Sequence, residues 1–229
     1  MMKNLILTAL IILVGTGLRA QETFFPVKEG VVLVYKTYDK KDKESSMVRY
    51  TVKQVKSEGS NLDITYLCEV FDAKENQLFK EEITIHQKGD KLYLDMSNFI
   101  NKAAFQQNGE IPAEVQITGN NMELPVNPNP GDALPDANVE MALKIGFVNM
   151  KMSADITNRK VEAIEDMTVK GGTFKCYKFS GDVNSSSMGL KMKSKNFDWY
   201  AKGIGVVKTE TYDKNNNLQS HTELIEVKN

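Results

Sequence analysis

Apolar side chains recur at every second position over much of the chain, the period of a strand with one covered face. Leu62, Ile64, Tyr66, Cys68 and Val70 alternate with Asp63, Thr65 and Glu69, while Leu67 and Phe71 make the second face partly apolar. Val48, Tyr50 and Val52 alternate with Arg49, Thr51 and Lys53, and Phe79, Ile83 and Ile85 lie opposite Glu82, Thr84 and His86. Further on, Val148, Met150, Met152, Ala154 and Ile156 alternate with Asn149, Lys151, Ser153, Asp155 and Thr157. Met188, Leu190 and Met192 alternate with Lys191 and Lys193. A helix would space its apolar positions by three or four residues. The pattern therefore predicts an all-β protein, a curved and mostly antiparallel sheet or half-open β-barrel.

Three segments join an aromatic residue and an Asp to a polar run: Tyr38-Asp39-Lys40-Lys41-Asp42-Lys43, Phe71-Asp72-Ala73-Lys74-Glu75-Asn76 and Tyr212-Asp213-Lys214-Asn215-Asn216-Asn217. Each reads as a hairpin tip, because Asp and Asn bond nearby backbone and tolerate left-handed conformations. Gly171-Gly172, between Val169 and Phe174, is a fourth turn signal. One short helix is expected from about Ser97 to Gln107, with Ser97 as cap and Phe99, Ile100, Ala103 and Ala104 on one face. Four of the six prolines fall between Leu124 and Asn138. That loop reads as a crossover joining two halves of one sheet, or as a lid over a pocket.

The first twenty residues have a basic start at Lys3, an apolar run from Leu5 to Val14 and a small residue at Ala20. This is the pattern of a removable export signal, with cleavage expected near Ala20/Gln21. Residues 22–229 then form a single β-rich domain, and the Pro-rich loop is the alternative boundary between two halves. Cleavage leaves 27 basic against 30 acidic side chains, which excludes the basic footprint of a nucleic-acid binder. No later stretch has the roughly 18 apolar residues of a transmembrane helix. A soluble protein of the periplasm or the medium is expected.

Catalytic and metal chemistry find no foothold in the motifs. The chain has two His, His86 and His221, with no second His or Cys at ligand spacing. Asp213, Asn215 and Asn217 open like a calcium loop, but Leu218 stands where the turn needs Gly and Leu224 where the chelating Glu belongs. Gly203-Ile204-Gly205 lacks the third glycine of a dinucleotide loop and runs on into strand-forming residues. No catalytic residue, metal site or cofactor is assigned. Cys68 and Cys176 leave two alternatives open, one disulfide or two buried thiols. Nine methionines remain after the signal, and methionine adapts to irregular apolar ligands as readily as to an irregular core. Val148, Met150, Met152, Ile156, Met188, Leu190 and Met192 are the candidate lining of an apolar groove on the concave face.

The segment Trp199-Tyr200-Ala201-Lys202-Gly203-Ile204-Gly205-Val206-Val207-Lys208 resembles a strand signature of exported β-proteins of unknown function. Gly172-Thr173-Phe174-Lys175-Cys176-Tyr177 and Gly131-Asp132-Ala133-Leu134-Pro135-Asp136 carry the same likeness. Together they resemble an exported domain-of-unknown-function family of Bacteroides-type bacteria, over most of the chain. That family is similar in general form to the half-open barrels of periplasmic lipoprotein carriers, and the resemblance implies an apolar or lipid-like ligand. The expectation is non-catalytic binding of such a ligand in the concave face. The alternatives are an envelope module that docks a protein or glycan, and an enzyme whose carboxylates converge only in the fold.

Overall fold

The computed structural model describes residues 22–99, 115–145, 148–187 and 189–229. The expected signal, residues 1–20, lies outside this set. Thirteen antiparallel strands form one sheet in the order β6-β8-β9-β10-β11-β12-β13-β1-β2-β3-β4-β5-β7. The strands are β1 (Val32–Asp39), β2 (Glu44–Glu58), β3 (Asn61–Asp72), β4 (Gln77–Lys88), β5 (Lys91–Leu94), β6 (Val115–Gly119) and β7 (Met122–Pro125). They continue with β8 (Ala137–Ile145), β9 (Val148–Val169), β10 (Gly172–Ser187), β11 (Leu190–Ala201), β12 (Gly205–Asp213) and β13 (Leu218–Lys228). The all-β expectation holds.

Asp39, Asp72 and Asp213 build three copies of one turn. In each, Oδ1 accepts the backbone N–H groups two and four residues on, from Lys41 and Lys43, from Lys74 and Asn76, and from Asn215 and Asn217, at 2.8 to 3.0 Å. The residue three past each Asp sits in the left-handed region, Asp42 at φ 57°, Glu75 at 65° and Asn216 at 61°. Antiparallel pairing places all three tips at one end of the sheet. Of the expected helix, residues 100–107 lie outside the described set. Met96–Phe99 form a 3-10 turn, in which Asp95, not Ser97, takes the capping role by accepting the Ser97 N–H at 2.8 Å.

The sheet does not close, yet its edges nearly meet. Edge strands β6 and β7 are consecutive in the chain, with only Asn120 and Asn121 between Gly119 and Met122. Three residue steps span at most about 11 Å, so the sheet curls until its two rims are that close. Asn120 fastens the junction: its Oδ1 accepts the Asn138 N–H at 2.6 Å and its Nδ2 donates to the Asp136 carbonyl at 3.0 Å. Arg159 of β9, only 5% exposed, donates from Nη1 to the Pro135 carbonyl and from Nη2 to the Glu123 carbonyl of β7 at 2.9 Å. It clasps one rim to the other. The Pro-rich loop is the crossover from β7 to β8, held by Gly131 N–H to Val161 O at 2.8 Å and Leu134 N–H to Arg159 O at 2.9 Å.

The core lies on the concave face. Phe24, fully buried, packs edge-on against Tyr177, Phe179 and Tyr200 with ring centroids 5.3 to 6.1 Å apart. Phe24 and Phe25 cap the end opposite the three Asp tips. Gly205 (φ 95°) lets β12 pass against the Phe25 ring, which an added Cβ would meet at 3.2 Å. Cys176, Trp199, Ala201 and Val207 form a small cluster on the convex side, where Trp199 Nε1 donates to Glu165 Oε1 at 2.7 Å. Of the two cysteine alternatives, the structure has the buried thiols. Cys68 opposes Tyr50 on the concave face and Cys176 opposes Ala201 on the convex one. Six strand positions separate them in the sheet.

Candidate functional site

A cavity of about 310 Å³ opens on the concave face. Four strands supply one wall through side chains of alternating position: Leu33 and Tyr35 of β1, Val48 and Tyr50 of β2, Tyr66 of β3, and Ile83 and Ile85 of β4. Tyr200 and Val206 close the far side, Phe25 forms the floor, and Leu94, Asp95 and Asn98 reach the rim. The volume lies at the lower limit of small-molecule sites, and an apolar wall with few polar groups is their usual character.

The hydroxyls in this wall are held as neutral groups. Tyr35 donates to the Val206 carbonyl at 2.8 Å. Burial raises the pKa of Tyr35, Tyr66 and Tyr200 well beyond the usual phenol range, and burial first and Cys68 second raise that of Tyr50. Such phenols donate hydrogen bonds but offer no phenolate at neutral pH. Among the described residues the Tyr66 hydroxyl is buried without a partner, and an unsatisfied buried hydroxyl costs about 1 to 3 kcal/mol.

A second cavity, of about 210 Å³, adjoins the first along Tyr200 and Val206. Its wall is mixed, with Phe179, Leu124 and Ile156 beside Arg159, Asn196, Asp198 and Thr209. Asp198 accepts a hydrogen bond from Thr209 Oγ1 at 2.7 Å. Burial raises its carboxyl pKa, against the opposing pull of that bond and of Arg159. Burial also lowers the Arg159 pKa, although a guanidinium remains charged at any physiological pH.

Of the seven residues expected to line the groove, Met150, Met152, Ile156, Leu190 and Met192 lie on the concave face but outside the 310 Å³ cavity. Directly opposed residues of paired strands lie on the same side of a sheet. Met150 opposes Leu143, and Met152 opposes both Met141 and Ser187, which in turn opposes Leu190. Leu143 and Met141 are 2% exposed core residues. Met150 and Met152 are half-buried beside them, and Ile156 enters the 210 Å³ cavity. Leu190 and Met192 stand near the β10–β11 tip, 73% and 61% exposed. Val148 opens β9, and Met188 lies outside the described residues. Periodicity identified the face; the cavity formed where strands from both ends of the chain meet. Tyr35, Tyr200 and Arg159 carried no site signal in the sequence, although the Leu33, Tyr35, Thr37 alternation was there to be read.

Among the described residues no group of three His, Cys, Asp or Glu side chains is placed to hold a metal ion. No helix among them is long and apolar enough to cross a membrane.

Solved structures share this fold. A predicted exported protein with a YmcC-like fold from Bacteroides fragilis superposes with a TM-score of 0.77 at 22% identity, over 91% of this chain and 100% of its own. A predicted lipoprotein from Parabacteroides distasonis superposes with a TM-score of 0.76 at 27% identity, over 92% of this chain and 100% of its own. Neither description names an activity or a ligand. No protein with a curated description matches the chain. The DUF3108-like family matches residues 28–224, nearly the whole sheet, and bears out the resemblance read from the Trp199–Lys208 signature and its companions: the chain belongs to the DUF3108-like family.

Proposed function

We propose that the protein is exported and, without catalysis, holds an apolar, lipid-like ligand in the concave face of its sheet. The observation that carries this reading is the 310 Å³ cavity walled by aliphatic and tyrosine side chains. At about 30 Å³ per water-sized group, it takes a chain of roughly ten such groups. Met150, Met152, Leu190 and Met192 continue the same face toward the open end, where we read them as the apolar approach to the cavity. The residue 1–20 signal pattern supports export to the periplasm or beyond, with cleavage near Ala20/Gln21. The exported and lipoprotein descriptions of the two structural relatives support it too.

The test is fluorescence titration with N-phenyl-1-naphthylamine, an apolar probe that brightens when it leaves water. Ile83→Trp fills the cavity and is expected to abolish the signal in protein that keeps its circular dichroism and melting temperature. Met192→Lys is expected to weaken binding by less, since Met192 lies outside the cavity. Undiminished binding by a folded Ile83→Trp variant overturns the assignment. Native mass spectrometry of protein from a bacterial periplasm, followed by organic extraction, then identifies any natural occupant.

A further inference from the structure

Above the tyrosines, the concave face carries a belt of hydroxyl and amide side chains across five consecutive strands. Asp198 of β11 opposes Thr209 of β12, Thr209 opposes Thr222 of β13, Thr222 opposes Thr37 of β1, and Thr37 opposes Ser46 of β2. The next row toward the Asp-turn tips repeats the chemistry with Asn196, Thr211 and Ser220. All of these side chains are half-buried. Thr37 and Thr222 sit 2.9 Å apart, hydroxyl to hydroxyl. They line the larger cavity, while Asn196, Asp198 and Thr209 line the smaller one.

The belt's charge balance restricts what it can recognise. Among the described residues lining either cavity, Arg159 is the sole cation; each of its terminal nitrogens donates to a backbone carbonyl, and its charge acts on Asp198 in the same cavity. The lysines of these strands lie on the convex side, where Lys36 pairs with Glu44 and Lys208 with Glu210 and Glu223. A phosphate or carboxylate at the belt would face the Asp198 carboxylate, and the one cation of the cavities, Arg159, already balances that carboxylate. Hydroxyl groups fit, because Ser and Thr both donate and accept, while Asp198 and the Oδ1 of Asn196, which has no partner among the described residues, accept.

We propose that this belt binds the neutral, hydroxyl-bearing head of a single-chain amphiphile whose tail occupies the tyrosine-walled cavity. The inference rests on the apolar-ligand reading above and narrows it to a class, of which a medium-chain monoacylglycerol is the simplest member.

Competition against N-phenyl-1-naphthylamine tests it, with 1-monodecanoylglycerol, decanoate and decyl phosphate as competitors of equal chain length. The glycerol ester is expected to displace the probe at about tenfold lower concentration than either anion, the value of about one net hydrogen bond. Thr37→Val with Thr222→Val removes two hydroxyls that bond each other and leaves no orphaned partner, so the fold is retained. This pair is expected to cut the preference severalfold, read as the ratio of ester to anion competition within the same variant. Asp198→Asn, a second and isosteric variant, is expected to improve decanoate competition by removing the facing charge. Equal competition by ester and anions, or a preference unchanged in both variants, overturns the head-group site while leaving the cavity standing. Failure of the probe and of all three competitors to bind overturns the cavity reading, and the head-group site with it.

Discussion

Removing the Arg159 clasp should loosen the curled sheet where its two rims approach. In Arg159→Met the stem volume is kept and the guanidinium is lost, leaving the carbonyls of Pro135 and Glu123 without the donors that now reach them. Hydrogen bonds from a charged donor contribute about 1.5 to 3 kcal/mol each, a gross loss of roughly 3 to 6 kcal/mol for two. Against this stands the desolvation that lowers the Arg159 pKa, a cost the variant no longer bears. A net loss of about 2 to 4 kcal/mol is therefore expected. For a chain of this size each kcal/mol moves the melting temperature by about 2 to 4 °C, so a drop of roughly 4 to 16 °C should be seen. Urea unfolding measures the free energy directly. Hydrogen exchange should show the β7 amides losing protection before those of β1 to β3. Arg159→Lys keeps the charge but lacks a fork to reach two carbonyls, and should recover less than half of the loss. A loss below about 1 kcal/mol, or full stability in Arg159→Lys, would refute the clasp.

Three further outcomes follow from the same geometry. Gly119 sits at φ 147°, and a Cβ there would lie 2.2 Å from the Asn138 carbonyl oxygen and 2.9 Å from Val139 Cα; Gly119→Ala should cost about 3 kcal/mol or more in urea unfolding, since both obstacles are backbone. Alkylation of the denatured, unreduced protein should label two thiols per chain. In the native protein at pH 8, Cys176 should resist labelling, because burial, aided by Asp166 and Glu165, pushes its pKa to about 11. Hydrogen bonds from the turn backbone, and from Asn76 to Asp72, hold the Asp39, Asp72 and Asp213 carboxyls below the ordinary range. As pH falls, the unfolded chain takes up these protons first, so their stabilisation is complete above the unfolded pKa of about 4 and is lost as pH drops through the folded values. The urea midpoint should decline below about pH 5, and Asp39→Asn, Asp72→Asn and Asp213→Asn together should flatten that decline; an equal slope in the triple variant would remove the turns as its source.

What local chemistry dictates was readable along the chain. The alternation from Leu62 to Val70 named the covered face of β3, and the Asp-led tips named three hairpins, because strand period and turn preference are set by neighbours within a few residues. Residues 199–208 marked a strand, a turn and a family for the same reason. Met150 and Met152 of β9 are half-buried, whereas Leu190 and Met192 of β11 are largely exposed. No local pattern states how far a hairpin extends past the body of a sheet.

The fold's non-local decisions were invisible in the sequence. The cavity takes Leu33, Tyr66 and Tyr200 from strands far apart in the chain, and the belt needs Thr37 opposite Thr222. Register across five strands, with bulges at Trp199/Tyr200 and Val34/Tyr35, decides which side chains share a row, and a bulge changes that row without any mark of period. Arg159 reads as one more strand charge until the curl of the sheet brings β7 to it. Strands, faces, turns and the export signal pattern were legible along the chain, since each depends on short-range sterics and hydrogen bonding. Tertiary structure alone decided where the concave face stays hollow, because a void forms where curvature separates side chains that the pairing has already placed.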